Sequence, residues 1–104
     1  MDKWIGIVSG TNRGLIFLDL DIDTNNKATG TFQLHDADAT NVTGKVTGTL
    51  KDKSIAAELF DFLPQQEGIP KKGTINLTLS EDKKELRGTW QTDVTTNGEC
   101  VLYK

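Results

Sequence analysis

At 104 residues with a formal net charge of −3 and a pI near 5.0, the chain is long enough for one modest core and too short for a second. The acidic balance lacks the basic footprint that phosphate backbones require, so nucleic acid is not an expected partner. No apolar run approaches the roughly 20 residues that span a bilayer, Met1-Asp2-Lys3-Trp4 leads into a strand pattern with no secretory h-region, and the lone Cys100 cannot close an internal disulfide; the expectation is a cytoplasmic protein with no membrane partner.

Turn signals cut the chain into about eight strands at the short spacing of an all-β barrel or sandwich. The first spans about Lys3 to Ser9 and turns through Gly10-Thr11-Asn12-Arg13-Gly14. The second, Leu15 to Asp23, alternates most clearly: Ile16, Leu18, Leu20 and Ile22 on one face, Asp19, Asp21 and Asp23 on the other, as expected of a strand with one buried and one wet side. After Thr24-Asn25-Asn26-Lys27 a third strand carries Gly30, Phe32 and Leu34 inward. After the polar stretch His35 to Asn41 a fourth carries Val42, Gly44, Val46, Gly48 and Leu50 inward. Ser54 to Leu63 also suits a capped helix stopped by Pro64; the hairpin-length turns around it favour a fifth strand. Strands six to eight follow at about Gly73 to Ser80, Glu85 to Asp93 and Gly98 to Tyr103. Sequential hairpins without a long crossover predict an antiparallel up-and-down meander, a single closed or nearly closed β-barrel over residues 1–104.

One pattern recurs through these strands: apolar, spacer, glycine, spacer, apolar. It appears as Trp4-Ile5-Gly6-Ile7-Val8, Ala28-Thr29-Gly30-Thr31-Phe32, Val42-Thr43-Gly44-Lys45-Val46, Val46-Thr47-Gly48-Thr49-Leu50 and Leu86-Arg87-Gly88-Thr89-Trp90. Strand side chains alternate between faces, so each glycine shares the inward face with its apolar neighbours. Interior glycines are tolerated where a sheet bends or another group approaches closely, and their repetition suggests a sheet curling into a small barrel.

An eight-stranded meander of this length, opening on a strand tryptophan and rich in strand glycines, resembles the calycins, the avidin- and lipocalin-type barrels. Gly88-Thr89-Trp90 followed by Thr92 is similar to their Gly-x-Trp signature, which in those families belongs to the first strand; here the first strand reads Trp4-x-Gly6 and the triplet falls on the seventh. The resemblance implies the barrel fold and carries no binding site over. Avidin-like biotin capture requires several tryptophans and a polar ureido-binding ring, whereas this chain has two tryptophans and no matching polar set.

An eight-stranded barrel is just wide enough for its own side chains or one small ligand. The expected inward set, from Trp4 and Val8 through Phe32 to Trp90, Cys100 and Leu102, fills most of it. Trp4, Phe32 and Trp90 are the candidate walls of a small apolar ligand pocket at one barrel end.

Catalytic signals are poor. His35 beside Asp36 and Asp38 is the best candidate for a base with an orienting carboxylate; a loop histidine among acids is more simply a solvated group, and no catalytic residue is assigned. Ser9 lacks the spacing of a nucleophile elbow. Gly6, Gly10 and Gly14 lack the lysine and following helix of a phosphate loop. Cys100 reads as a small buried hydrophobe. Asp19-x-Asp21-x-Asp23 invites a calcium reading, but the loop positions that need glycine and a bidentate glutamate are Thr24 and Gly30, so no metal or other cofactor is expected. Asn41-Val42-Thr43 and Asn76-Leu77-Thr78 match the glycosylation sequon and, with no secretory signal expected, are read as chance matches.

The favoured function is a non-catalytic binding module, recognising a protein or a second copy of itself. Its contact residues are expected to be Phe60, Phe62, Pro64, Ile69 and Pro70: Ser54 to Leu63 is apolar on both alternating sets, and the adjoining loop carries two prolines that lower the entropy cost of ordering it. Leu15 and Phe17 are also expected on the outer face. The alternatives are a calycin-like binder of a small apolar ligand and a small enzyme using His35.

Overall fold

Alternation builds the walls. In β2 (Gly14–Ile22) the residues Ile16, Leu18 and Leu20 are buried while Asp19 and Asp21 lie on the opposite face, and period-2 burial also runs through β1 (Asp2–Gly10), β3 (Lys27–Asp36), β4 (Asn41–Lys51), the first part of β5 (Ser54–Leu63), β6 (Gly73–Leu79), β7 (Glu85–Thr92) and β8 (Asn97–Tyr103). A computed structural model, describing residues 2–37 and 41–104, places these strands in a closed antiparallel barrel in sequence order, with β8 returning to pair with β1. The fifth segment is a strand, and β3 runs on through His35 and Asp36 before its turn. No helix among the described residues is long and apolar enough to cross a membrane.

Turn chemistry matches the joins. Asp23 Oδ1 accepts the Asn25 and Lys27 amides at 2.9 Å each, and Asn26 takes a φ of 63°, a left-handed conformation that asparagine tolerates. Asp23 therefore serves the β2–β3 hairpin. The β6–β7 turn is pinned similarly: the Ser80 hydroxyl, then the Lys84 amide, hydrogen-bond Asp82 and hold its carboxyl below the usual range.

The strands run obliquely. Stepping across the ladder from Gly10 through Gly98, Trp90, Ile75, Ala57, Gly48 and Ala28 to Ile22 leads back to a level just before β1 begins, a stagger of roughly ten residues, which requires strongly tilted strands. One expectation fails here: Ile22 lies past the Asp2↔Leu20 pair that ends the β1–β2 ladder among the described residues, and it is 38% exposed. The glycines accommodate the coiling. At Gly88 a Cβ would strike the Asn76 carbonyl of the neighbouring strand, and at Gly44 it would strike the Phe32 ring. The close approach is thus made by the barrel's own backbone at one position and by a core aromatic at the other.

A second expectation fails in β5. Simple alternation puts Phe62 outside with Phe60, but a bulge lies between the pairs Thr43↔Leu63 and Lys45↔Phe60, with Asp61 at φ 52°. The extra residue reverses the parity of everything after it. Phe62 turns into the core, where its ring meets Phe32 edge-on at 5.3 Å, and Leu63 turns outward.

Candidate functional site

The two barrel ends differ in chemistry. At the end where β1 starts, Trp4 is buried under Lys104, whose Nζ sits 5.7 Å from the ring centroid and pairs with Asp2 at 3.4 Å. Leu20, Ala28, Leu77, Leu86 and Leu102 are buried, and this end is sealed by side chains. The end where β1 finishes is open. A cavity of about 200 Å³ lies in this mouth, walled by Val8, Ile16, Phe32, Leu34, Val42, Leu59, Phe62, Ile75 and Trp90, with Asn12, Asp36, Thr92 and Thr96 at its polar rim. Every strand but the last contributes to it, and almost all of its wall is apolar.

The segment between β5 and β6 leans over this mouth. Ile69 packs partly buried against the core, and Gly68 and Pro70 beside it also line the cavity. The segment turns on itself through the Ile69 amide, which donates to the Gln66 carbonyl at 3.1 Å, with Gly68 at φ 87°. Its far end is tied to the β7–β8 turn: the Lys71 amide donates to Asp93 Oδ1 at 3.1 Å and the Asp93 amide donates to the Lys72 carbonyl at 3.0 Å. Neighbouring joins hold the rest of the rim. Thr11 and Asn97 bond reciprocally, the Ala37 amide reaches the Arg13 carbonyl at 2.8 Å, and Asn12 Nδ2 donates to Asp36 at 3.0 Å. The mouth is therefore a braced ring crossed by a strap that is fastened at one side, with Ile69 as its apolar plug.

No family model matches the chain, and no curated protein or solved structure matches it significantly. What can be said of the site rests on its own residues.

The expected ligand residues divide. Phe32 and Trp90 both wall the mouth, Trp90 with its indole Nε1 donating to the Glu99 carbonyl at 3.1 Å. Trp4 is at the other end. Trp90 lies across β8 from Gly10, and the offset from Trp4 to Gly10 along β1 is roughly 20 Å at about 3.3 Å per residue. The two rings are not brought together: β1 and β7 run in the same direction, and Trp4 and Trp90 sit near opposite ends of their strands.

The expected protein-contact residues divide as well. Phe62 and Ile69 face the mouth, Pro70 lines it, Pro64 follows β5 through a cis peptide, and Phe60 is half-buried on the wall. Sequence reasoning missed the contribution of Phe62 to the mouth because it could not place the bulge, and it did not assign Leu59 and Ile75 to the mouth because their height in the barrel depends on the register with neighbouring strands. It also overlooked Asn12, Asp36, Thr92 and Thr96, whose only signal was their position beside turns at the same barrel end.

His35 and Asp36 point apart. His35 is exposed on the outer wall with its ring 5.1 Å from Phe17, edge-on, whereas Asp36 turns to the rim and accepts the Asn12 amide; Asp38 lies outside the described residues. Adjacent strand residues project to opposite faces, so His35 and Asp36 form no acid–base pair. Among the described residues no group of three or more histidine, cysteine, aspartate or glutamate side chains is arranged to hold a metal ion. Cys100 is buried in the wall, and desolvation pushes its thiol up to about 11, a backbone hydrogen bond at Gly88 offsetting only part of the effect.

Proposed function

We propose that this chain is a non-catalytic binding module whose open barrel end takes a small, largely apolar guest. The supporting observation is the apolar cavity of about 200 Å³ beneath the Ile69 strap. Its size sets the guest class. Apolar cavities of about 150 Å³ accept benzene, and sites for drug-sized ligands begin near 300 Å³, so the guest is one ring or a short branched chain. The rim of Asn12, Asp36, Thr92 and Thr96 orients a single polar end, such as a hydroxyl or amide, toward water. Entry requires the strap to lift, which moves Ile69 out of an apolar contact and lets the guest replace it.

Protein recognition through Phe60, Phe62 and the 64–72 loop is less well supported, because Phe62 and Ile69, its two best anchors, face inward. Methyl-resolved NMR with p-xylene and with cyclohexanol tests the proposal. Saturable shifts are expected at Val8, Ile16, Leu34, Val42 and Ile69 while Leu77 and Leu102 at the sealed end stay still; no saturable shift at the mouth, or equal shifts at both ends, overturns it.

A further inference from the structure

The outer wall of this barrel is polar over most of its circumference. Thr29, Thr31 and Gln33 face out from β3, Thr43, Lys45 and Thr49 from β4, and Arg87, Thr89 and Gln91 from β7. Apart from Leu63 on β5, the exception is a block on β2, β1 and β8. Ile5 (54% exposed), Ile7 (59%), Leu15 (48%) and Tyr103 (53%) are the most open, with Phe17 and Val101 half-buried among them. The register makes them one surface: Ile5 stands opposite Phe17 on one side and Tyr103 on the other, and Ile7 opposite Leu15 and Val101. None of these six side chains serves the core or the mouth. Scattered exposed apolar residues are ordinary, but a contiguous rimmed block marks an interaction surface.

We infer that this face is the interface of a two-fold dimer, with a second copy of the chain seated on it and β1 crossing β1 of the partner in the opposite direction. The arrangement of charge and bulk around the block selects that occupant. Lys3 and Asp19 pair in register at one end of the block. At the other end lie Glu99, opposite Ser9, and Arg13, just before β2. Among the described residues these four charges take part in none of the ion pairs. A two-fold axis lying in the interface and perpendicular to the strands reverses the ends and keeps β2 over β2. It places Asp19 against Arg13 of the second copy and brings Lys3 diagonal to its Glu99, each contact occurring twice, as an isologous interface demands. The same operation sets Phe17 over Leu15, Tyr103 over Val101 and Ile5 over Ile7, so that large side chains meet smaller ones. With the axis along the strands instead, Lys3 would meet Lys3 and Phe17 would meet Tyr103, which opposes like charges and stacks bulk on bulk. The mouth points along the barrel axis, away from this face, so dimerisation leaves it open.

Sedimentation equilibrium over a concentration series tests the dimer, with circular dichroism to check that each variant keeps its strands. The wild-type chain is expected to approach twice its 11.4 kDa mass at high concentration. Ile7→Lys, an outward change that spares the core, is expected to leave monomer throughout. Asp19→Arg sets like charges against Arg13 of the second copy and is expected to weaken association about tenfold, and the double change Asp19→Arg with Arg13→Asp is expected to restore it. A wild-type chain that stays monomeric to millimolar concentration overturns the inference. So does an Ile7→Lys chain that still dimerises, or a double variant no better than the single one, because each shows that the face is empty or serves another partner.

Discussion

Cys100 and Gly88 face each other across the β7–β8 ladder, and the thiol is buried. Because burial raises its pKa from 9.0 to about 11, the folded chain holds the proton more tightly than the unfolded chain. The stability this confers is therefore complete below pH 9 and is lost as pH rises from 9 toward 11, by roughly 2 to 3 kcal/mol over that span. Denaturant unfolding of wild type and Cys100→Ala between pH 8 and 11 checks the sign: the wild-type midpoint falls over this window with a component that the alanine variant lacks. The reading of Cys100 as a small buried hydrophobe was available from alternation alone, since Gly98, Cys100 and Leu102 share one face. Phe62 was not. Its position in the core predicts that Phe62→Ala costs about 3 to 4 kcal/mol, whereas Phe60→Ala, on the half-exposed side, stays within about 1 kcal/mol. Equal losses at the two sites would mean that the parity change in β5 is absent.

At the scale of the element, that parity change resides in Asp61. Its φ of 52° is a conformation that aspartate tolerates and β-branched residues avoid, and its exposed pairing with Lys45 at 3.4 Å contributes little. Replacement by glycine is thus expected to be neutral to slightly stabilising, and Asp61→Val to cost about 1 to 2 kcal/mol through backbone strain; thermal melts of the two variants give the comparison. The eight strands, their order and most of their facing were legible because each needs only a local period of two and a turn signal at each end. A bulge has no such signal. Leu59-Phe60-Asp61-Phe62-Leu63 reads equally well with either parity, and the correct one is set by pairing with Thr43 and Lys45 on another strand. The contact between the 64–72 segment and the mouth was hidden for a related reason. The prolines marked a loop worth attention, but the direction of Ile69 depends on Asp93, which lies on a turn two strands away.

The whole molecule is a tube with one sealed and one open end, and its two tryptophans report on them separately. The stagger that seals the first end buries Trp4 among leucines under Lys104, while Trp90 stands half-buried at the mouth. The sequence brought both rings to the inner face correctly and could not assign their heights, because height depends on the cumulative register round the barrel. Single-tryptophan variants separate the ends. Trp90→Phe retains only Trp4, whose emission is expected to be blue-shifted and resistant to acrylamide. Trp4→Phe retains Trp90, expected to be redder, more readily quenched and responsive to a guest that enters beneath Ile69. Under the proposed function, cyclohexanol shifts the emission of the Trp4→Phe variant saturably and leaves that of the Trp90→Phe variant unchanged. Truncating the plug in the same background, as Ile69→Ala, removes an apolar competitor from the mouth, so the half-saturating concentration is expected to fall. If it rises instead, Ile69 is a wall on which the guest rests, and the strap closes over the guest after entry.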